Sequence, residues 1–319
     1  MKKTEPVYIV GPTAVGKTEI SITLAKILDG EIISADSMQI YRGMDIATAK
    51  PSMSQLAEIP HHLINILNLD ETFSAAKFKD AAEKIMSSIR SSDKVPVIAG
   101  GTGLYIKTLT EGIFEGPSAD WKFRAKLNEQ EKVYGTGHLY SLLTRIDPKS
   151  AARIKPNDMR RIIRAIEVHH LTGRPISELQ KEWEMSRPYI TIIGLDMERA
   201  MLNERINKRV EEMFSKGIID ETRHLIKLGI EKNRTAMQAI GYKEIIGYLN
   251  GQYNLERAQE LLKRNSRRYA KRQLTWFRKD DRIKWFDAGN LKKEQLVDEI
   301  VSYLKSCGYS TSARNVVEE

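Results

Sequence analysis

A chain of 319 residues, 41% hydrophobic and 29% charged, is long enough for one large α/β core with an appended part, or for two domains, and no run approaches the eighteen or so apolar residues of a membrane span. A single cysteine, Cys307, excludes an internal disulfide framework and fits a reducing compartment. The net charge of +9, from 51 basic against 42 acidic residues, suits a polyanionic partner without requiring one.

Met1 to Pro6 leads almost directly into the first apolar run, so no signal or transit peptide is expected and the protein reads as cytoplasmic. That run, Val7-Tyr8-Ile9-Val10, predicts a strand. It is followed by Gly11-Pro12-Thr13-Ala14-Val15-Gly16-Lys17-Thr18, the spacing G-x-x-x-x-G-K-[ST], and by a helix-patterned segment from Glu19 to Leu28. Strand, loop and helix in that order are the context a P-loop needs. Its glycines let successive backbone N–H groups converge, the helix directs its positive end to the same point, and Lys17 and Thr18 add an ammonium and a metal-ligating hydroxyl. A diphosphate cradle is the expectation.

The second strand, Glu31 to Ser34, runs into Ala35-Asp36-Ser37-Met38-Gln39. Ligands of a doubly wound sheet gather at the carboxyl ends of its strands, so Asp36 is expected on the rim of the P-loop, as a base or ligand or as a cap for the next turn. His61 and His62 are adjacent and cannot both face one metal from a regular element. His138, His169, His170 and His224 share no ligand spacing, so zinc is not expected. A third strand, Val95 to Ala99, ends in Gly100-Gly101-Thr102-Gly103, where a Walker-type NTPase presents a magnesium-associated Asp. Thr102 offers a small hydroxyl instead. The loop is therefore expected to hold a diphosphate without hydrolysing a nucleotide, unless another strand supplies the acid.

From about Gly116 to Arg187 helix signals are plentiful and no strand pattern is convincing; Gly116-Pro117 and Arg187-Pro188 punctuate the two ends. This predicts a helical insertion at 116–188 between core segments 1–115 and 189–307. Within it, Asn157 or Asp158 can cap a helix with an Ile162, Ile163 and Ile166 stripe, stopped by Thr172-Gly173-Arg174-Pro175. Arg160 and Arg164 lie on a shared side, as an RNA contact or a solvated face. After a fourth strand, Ile190 to Leu195, the segment Glu198 to Lys216 is amphipathic through Leu202, Ile206, Val210, Met213 and Phe214. Arg205 and Arg209 sit one turn apart beside that stripe, directed into a cleft or to solvent. The run Lys263 to Arg272 concentrates positive charge near Tyr269, Trp276 and Phe277, a fifth strand covers Ile283 to Phe286, and residues 308–319 lack periodicity and are expected to be disordered. The whole reads as an α/β P-loop fold in three layers, with a mostly parallel sheet and an inserted helical domain.

Several of these segments together resemble the bacterial tRNA dimethylallyltransferases, also called tRNA isopentenyltransferases. They are the P-loop itself, Ser34 to Tyr41, Asp45 to Pro51, Gly100 to Tyr105, Pro156-Asn157-Asp158, Gln238 to Glu244 and Lys271 to Arg278, in order over roughly residues 7 to 290. One departure is Ala47, where glycine is expected in many relatives.

The resemblance implies transfer of a dimethylallyl group from dimethylallyl diphosphate to N6 of the adenine 3′-adjacent to the anticodon of tRNA, with the P-loop serving the prenyl donor and not ATP. Carried over by position, Asp36 takes the N6 proton and Thr102 helps hold the reaction centre. Lys17, Arg205 and Arg209 neutralise the departing diphosphate, with Thr18 on Mg2+. Ser37, Met38 and Gln39 contact the target nucleotide. The tRNA anticodon stem-loop is gripped by Arg124 and by Arg160, Arg161, Ile162, Ile163 and Arg164. Gln238, Gly241, Tyr242, Lys243 and Arg272 complete the tRNA-facing set, and a monomer is expected. An allylic carbon on diphosphate reacts with carbocation character, so charge grows on the leaving group and stabilising it lowers the barrier. The rival readings are a P-loop small-molecule kinase using ATP and a non-catalytic RNA-binding nucleotide switch.

Overall fold

The computed structural model describes residues 3–112, 114, 116–181 and 190–311. Among them, six parallel strands form one sheet: β1 (Val7–Val10), β2 (Gly30–Ser34), β3 (His61–His62), β4 (Val95–Gly100), β5 (Thr191–Asp196) and β6 (Ile283–Asp287), in the order β3-β2-β4-β1-β5-β6. The sheet expected to be mostly parallel is wholly parallel. Only β3 lacks a sequence signal, because two residues are too few to show a period; His62 instead anchors this edge through its Nε2, 2.8 Å from Glu31 Oε2.

Alternation along the strands builds two cores. In β1, Val7 and Ile9 join one apolar cluster while Tyr8 and Val10 join another. The first is covered by the helices Lys17–Leu28 and Lys293–Ser306, through residues such as Leu24, Leu28, Ile300 and Leu304. The second is covered by Ala75–Ser91 and Gly103–Glu111, where the Phe78 and Tyr105 rings stack at 3.9 Å. A sheet buried on both faces this way is the three-layer arrangement of parallel α/β proteins. A third cluster packs Ile40, Tyr41 and Met44 against Arg199–Ser215, Ile218–Lys227 and Tyr242–Leu249.

The chain divides into two compact units, one of Met1–Thr110 with Tyr189–Glu319 and one of Glu111–Pro188. The second unit is helical among its described residues and has its own core of Leu127, Leu139, Leu143, Ile162, Ile166 and Val168. Its longer helices are Trp121–Tyr134, capped by Asp120, and Met159–Thr172, capped by Asp158 and ended by Gly173 at φ 71°. The punctuating pair Arg187-Pro188 lies outside the described residues, as does 312–319 of the tail. The start of that tail departs from the expected disorder: Tyr309 is buried, and its hydroxyl lies 3.3 Å from Thr191 Oγ1.

Candidate active site

The loop Gly11–Thr18 leaves β1 at the carboxyl end of the sheet and enters the helix Lys17–Leu28. Ala14 at φ 66° and Gly16 at φ 102° occupy left-handed backbone, which folds the loop back on itself. Among the described residues, the amides of Ala14, Val15, Gly16, Lys17 and Thr18 make no hydrogen bond, so an array of N–H donors stands at a helix N-terminus. Lys17 folds over this array and donates from Nζ to the Gly11 and Pro12 carbonyls at 2.9 and 2.7 Å. Gly11, Pro12 and Val15 are themselves buried and frame the loop.

Two cavities of the first unit share a wall. One, of about 590 Å³, is lined by Gly16, Lys17, Thr18, Arg205, Lys208 and Arg209. The other, of about 410 Å³, is lined by Met38, Met213, Ile240, Arg272 and Trp276 together with Thr102. Asp36, Thr13, Arg209, Tyr269 and Gln273 border both. The first cavity is thus cationic and rich in donors, the second largely apolar and aromatic, and a carboxylate stands where they adjoin.

Asp36 is brought there because β2 ends at Ser34 beside β4. Its Oδ1 accepts from the amides of Met38 and Gln39 at 2.8 and 3.4 Å, and its Oδ2 has no bond among the described residues. Cap and cavity-facing acid are therefore the same residue. Thr102 Oγ1 accepts from the Ser37 amide at 3.1 Å, tying the loop after β4 to the loop after β2. The glycines after β4 are there for close approach: a Cβ on Gly103 would run into the Trp276 indole, and one on Gly100 into the Ala35 carbonyl. No carboxylate stands at the end of β4. The acid at the end of β5, Asp196, accepts at Oδ2 from Arg278 Nη2 at 2.6 Å.

Arg209 is turned inward. Its Nη1 donates to Thr13 Oγ1 at 2.6 Å, while its Nε is buried with no partner, and burial lowers its pKa. Arg205 is more exposed but lines the cationic cavity with its guanidinium over Gly16. Burial pushes the Lys17 ammonium down to about 7, the Asp36 carboxylate opposing that shift and Arg209 adding to it. A cluster of cations that costs this much to keep dry calls for an anion.

Among the described residues no three His, Cys, Asp or Glu side chains form a metal cluster. Thr18 lines the cationic cavity and its hydroxyl has no partner there. One hydroxyl beside an array of unbonded amides fits Mg2+, which takes few protein ligands and completes its shell with oxygens of a bound anion and water.

Sequence reasoning missed Gln273. On the helix Leu255–Phe277, it accepts from the Thr13 amide at 2.8 Å and donates to the Gly101 carbonyl at 3.0 Å, joining the P-loop to the glycine run. Its traces in the sequence are its place within Lys271 to Arg278, one of the segments that carry the family resemblance, and its spacing with Ala270 and Phe277 along the buried face of a helix.

Several residues expected to face tRNA do other work. Ile162 and Ile163 are buried in the second unit's core, as the apolar stripe demanded, so they cannot meet RNA. Arg124 and Arg164 both bind Glu167, which is fully buried: Arg124 by Nε and Nη2 at 2.7 and 2.6 Å, Arg164 by Nη1 at 2.6 Å. Burial alone would raise the Glu167 carboxyl, but these guanidinium groups and the Asp120 amide hold it below the usual range. Arg160 and Arg161 remain exposed on that helix. In the first unit Tyr242 is fully buried and gives its hydroxyl to Glu221 at 2.8 Å, and a Cβ on the buried Gly241 would press on Ala47. Gln39 spends its amide on Ser34 and the Thr48 and Ala49 carbonyls. Ser37, Met38, Gln238 and Arg272 line the apolar cavity, and Lys243 is exposed.

Comparison with known proteins agrees with this geometry. A family model described as IPP transferase matches residues 39–280. The tRNA dimethylallyltransferase of Alkaliphilus oremlandii is 48% identical over 90% of this chain and 93% of its own length, and that of Carboxydothermus hydrogenoformans is 47% identical over 93% and 96%. Among solved structures, the tRNA isopentenylpyrophosphate transferase of Bacillus halodurans aligns with a TM-score of 0.71 at 45% identity, covering 95% of this chain and 96% of that one. A eukaryotic dimethylallyltransferase acting on tRNA aligns at 0.80 with 27% identity, covering 98% and 82%. By sequence over nearly its whole length and by fold, this chain belongs to the tRNA dimethylallyltransferase family.

Proposed function

We propose that this enzyme transfers a dimethylallyl group from dimethylallyl diphosphate to N6 of the adenine 3′-adjacent to the anticodon in tRNA, releasing diphosphate. The observation that carries this reading is the meeting of a cationic, donor-rich cavity and an apolar, aromatic one at Asp36. The diphosphate takes the first cavity, on the P-loop amides, Lys17, Arg205 and Arg209. The flipped adenine takes the second, near Met38 and Trp276, because a stacked base must leave its neighbours to be alkylated. The C1–O bond of the donor breaks with its electron pair going to diphosphate, the N6–C1 bond forms, and the N6 proton passes to Asp36 Oδ2. Lys17 and Arg209 stabilise the charge growing on the leaving oxygen, and Thr102 holds the Asp36–Ser37 turn in place.

Mg2+ would neutralise diphosphate charge, with Thr18 as one oxygen ligand. Arg160 and Arg161 are the remaining insertion-helix candidates for the anticodon stem-loop. The protein works as a cytoplasmic monomer in this reading, and among the described residues no helix is long and apolar enough to cross a membrane. The kinase reading is weakened by the absence of an acid after β4 and by the engagement of Asp196 with Arg278. Incubating the protein with dimethylallyl diphosphate and unmodified tRNA, then analysing nucleosides by mass spectrometry, should yield N6-dimethylallyladenosine. Phosphate transfer from ATP without that product would favour the kinase. Nucleotide-dependent RNA affinity with no modified base would favour the RNA-binding switch.

A further inference from the structure

Between Glu260 and Asp280 the chain carries eight lysines and arginines and no acid. Some exposed helix arginines elsewhere are matched within a turn, as Arg223 with Asp220 and Arg257 with Glu260. The helix Leu255–Phe277 shows two faces. Near 100° per residue, Arg264, Lys271 and Arg278 fall roughly opposite Tyr269, Gln273 and Trp276, which border the reaction cavities. On that opposite side lies a cavity of about 940 Å³ in the same unit, bordered by Arg199, Arg264, Arg268, Lys271 and Trp285.

The carboxylates at this cavity are engaged locally. Asp196 pairs with Arg278, Glu198 caps the Ala200 and Met201 amides, and Asp287 caps Gly289 and Asn290. Arg199, Arg264, Arg268 and Lys271 have no hydrogen bond or ion pair among the described residues, and Arg264 Nε is buried without a partner. The lining carries six arginines and lysines against three carboxylates, Asp196, Glu198 and Asp287, so a positive excess remains in one concavity, and a multivalent anion relieves its repulsion. From Arg264 to Arg278 the wall runs ~21 Å at 1.5 Å per residue, the extent of several nucleotides and far more than a single phosphate needs. Trp285 adds an aromatic surface, and a basic groove with an aromatic platform is the combination that holds a nucleic-acid strand.

We propose that this groove binds the phosphodiester backbone of the tRNA substrate, outside the reacting nucleotide. The proposal rests on the functional reading above and adds a second RNA-contacting surface, separated from the reaction cavities by the thickness of one helix. It supplies affinity and leaves the chemical step alone.

The test is equilibrium binding of a tRNA transcript across 50–300 mM KCl, for wild type and for the Arg264→Gln, Arg268→Gln, Lys271→Gln triple variant, with no prenyl donor present. Loss of three phosphate contacts should weaken binding ~10–100-fold near 0.1 M salt and reduce the slope of log K against log salt by about 2. KM for tRNA should rise with kcat within about twofold. The pair Arg199→Gln, Arg268→Gln, both exposed side chains, guards against misfolding and should lower the slope by about 1 with an unchanged melting temperature. A wild-type slope in both variants overturns the groove. So does inorganic phosphate that raises the melting temperature of wild type but not of the triple variant while the tRNA slope stays the same, since that assigns a small-anion site. Because the readout is binding, a wild type that makes no dimethylallyladenosine would sink the proposed function and leave the slope result standing.

Discussion

Asp36 uses its two oxygens differently, and that separates its structural duty from the chemical one proposed for it. Oδ1 holds the turn through the Met38 and Gln39 amides, while Oδ2 makes no bond among the described residues and the residue borders both cavities. Asp36→Asn keeps an acceptor for the turn but cannot take a proton, so kcat should fall by at least ~100-fold with tRNA affinity within about threefold. Wild-type turnover in this variant would remove Asp36 from the chemistry. Lys17 supplies the residue-scale pH dependence. With its free-state pKa near 7, an increasing fraction is neutral above pH 7, and a bound diphosphate restores the charged form, so binding takes up a proton there. Affinity for inorganic diphosphate should fall as pH rises above 7. Calorimetry in two buffers of different ionisation enthalpy should show proton uptake, lost in Lys17→Met.

At the scale of elements, the helix Leu255–Phe277 positions the P-loop through one side chain. Gln273→Leu removes the acceptor for Thr13 N and the donor for Gly101 O, leaving two backbone groups unsatisfied, at a cost of about 1–3 kcal/mol. The expected result is a KM for dimethylallyl diphosphate raised by roughly 5–10-fold, with tRNA binding retained, measured by steady-state kinetics and filter binding. An unchanged donor KM would mean the P-loop keeps its shape without the clamp. The same helix explains why Trp276 was legible only as a neighbour of basic residues. Its role at the cavity depends on Gly103, 173 positions earlier, leaving room for the indole.

For the whole molecule, the two units have separate cores, so damage to one should be local. Glu167→Ala would leave Arg124 and Arg164 without their shared partner and should destabilise the second unit by about 3 kcal/mol. Hydrogen exchange should then show loss of protection at Leu127, Leu139 and Leu143 while β1 and β4 stay protected. Equal loss in both units would refute their independence. The pH sign follows from the depressed carboxyl. Its stabilisation is present above the ordinary glutamate value and disappears as pH falls through the lowered one, so this unit should lose stability in acid.

The parts legible in sequence are those whose chemistry is written in neighbouring residues. A strand, a glycine loop and a helix in succession define the amide-lined loop at the helix N-terminus, and alternating apolar residues define which face each strand buries, because both follow from backbone geometry over a few positions. Sequence by itself therefore determined the parallel α/β core, that loop and the location of Asp36 on its rim. The remainder joins residues far apart in the chain. Gln273 reaches back 260 positions to Thr13, and Glu167 draws Arg124 and Arg164 out of the exposed set. Whether an arginine serves RNA or a buried carboxylate depends on which acid the tertiary fold brings within 3 Å, and no local period carries that information. Tertiary structure alone decided which cations are free to meet an anion.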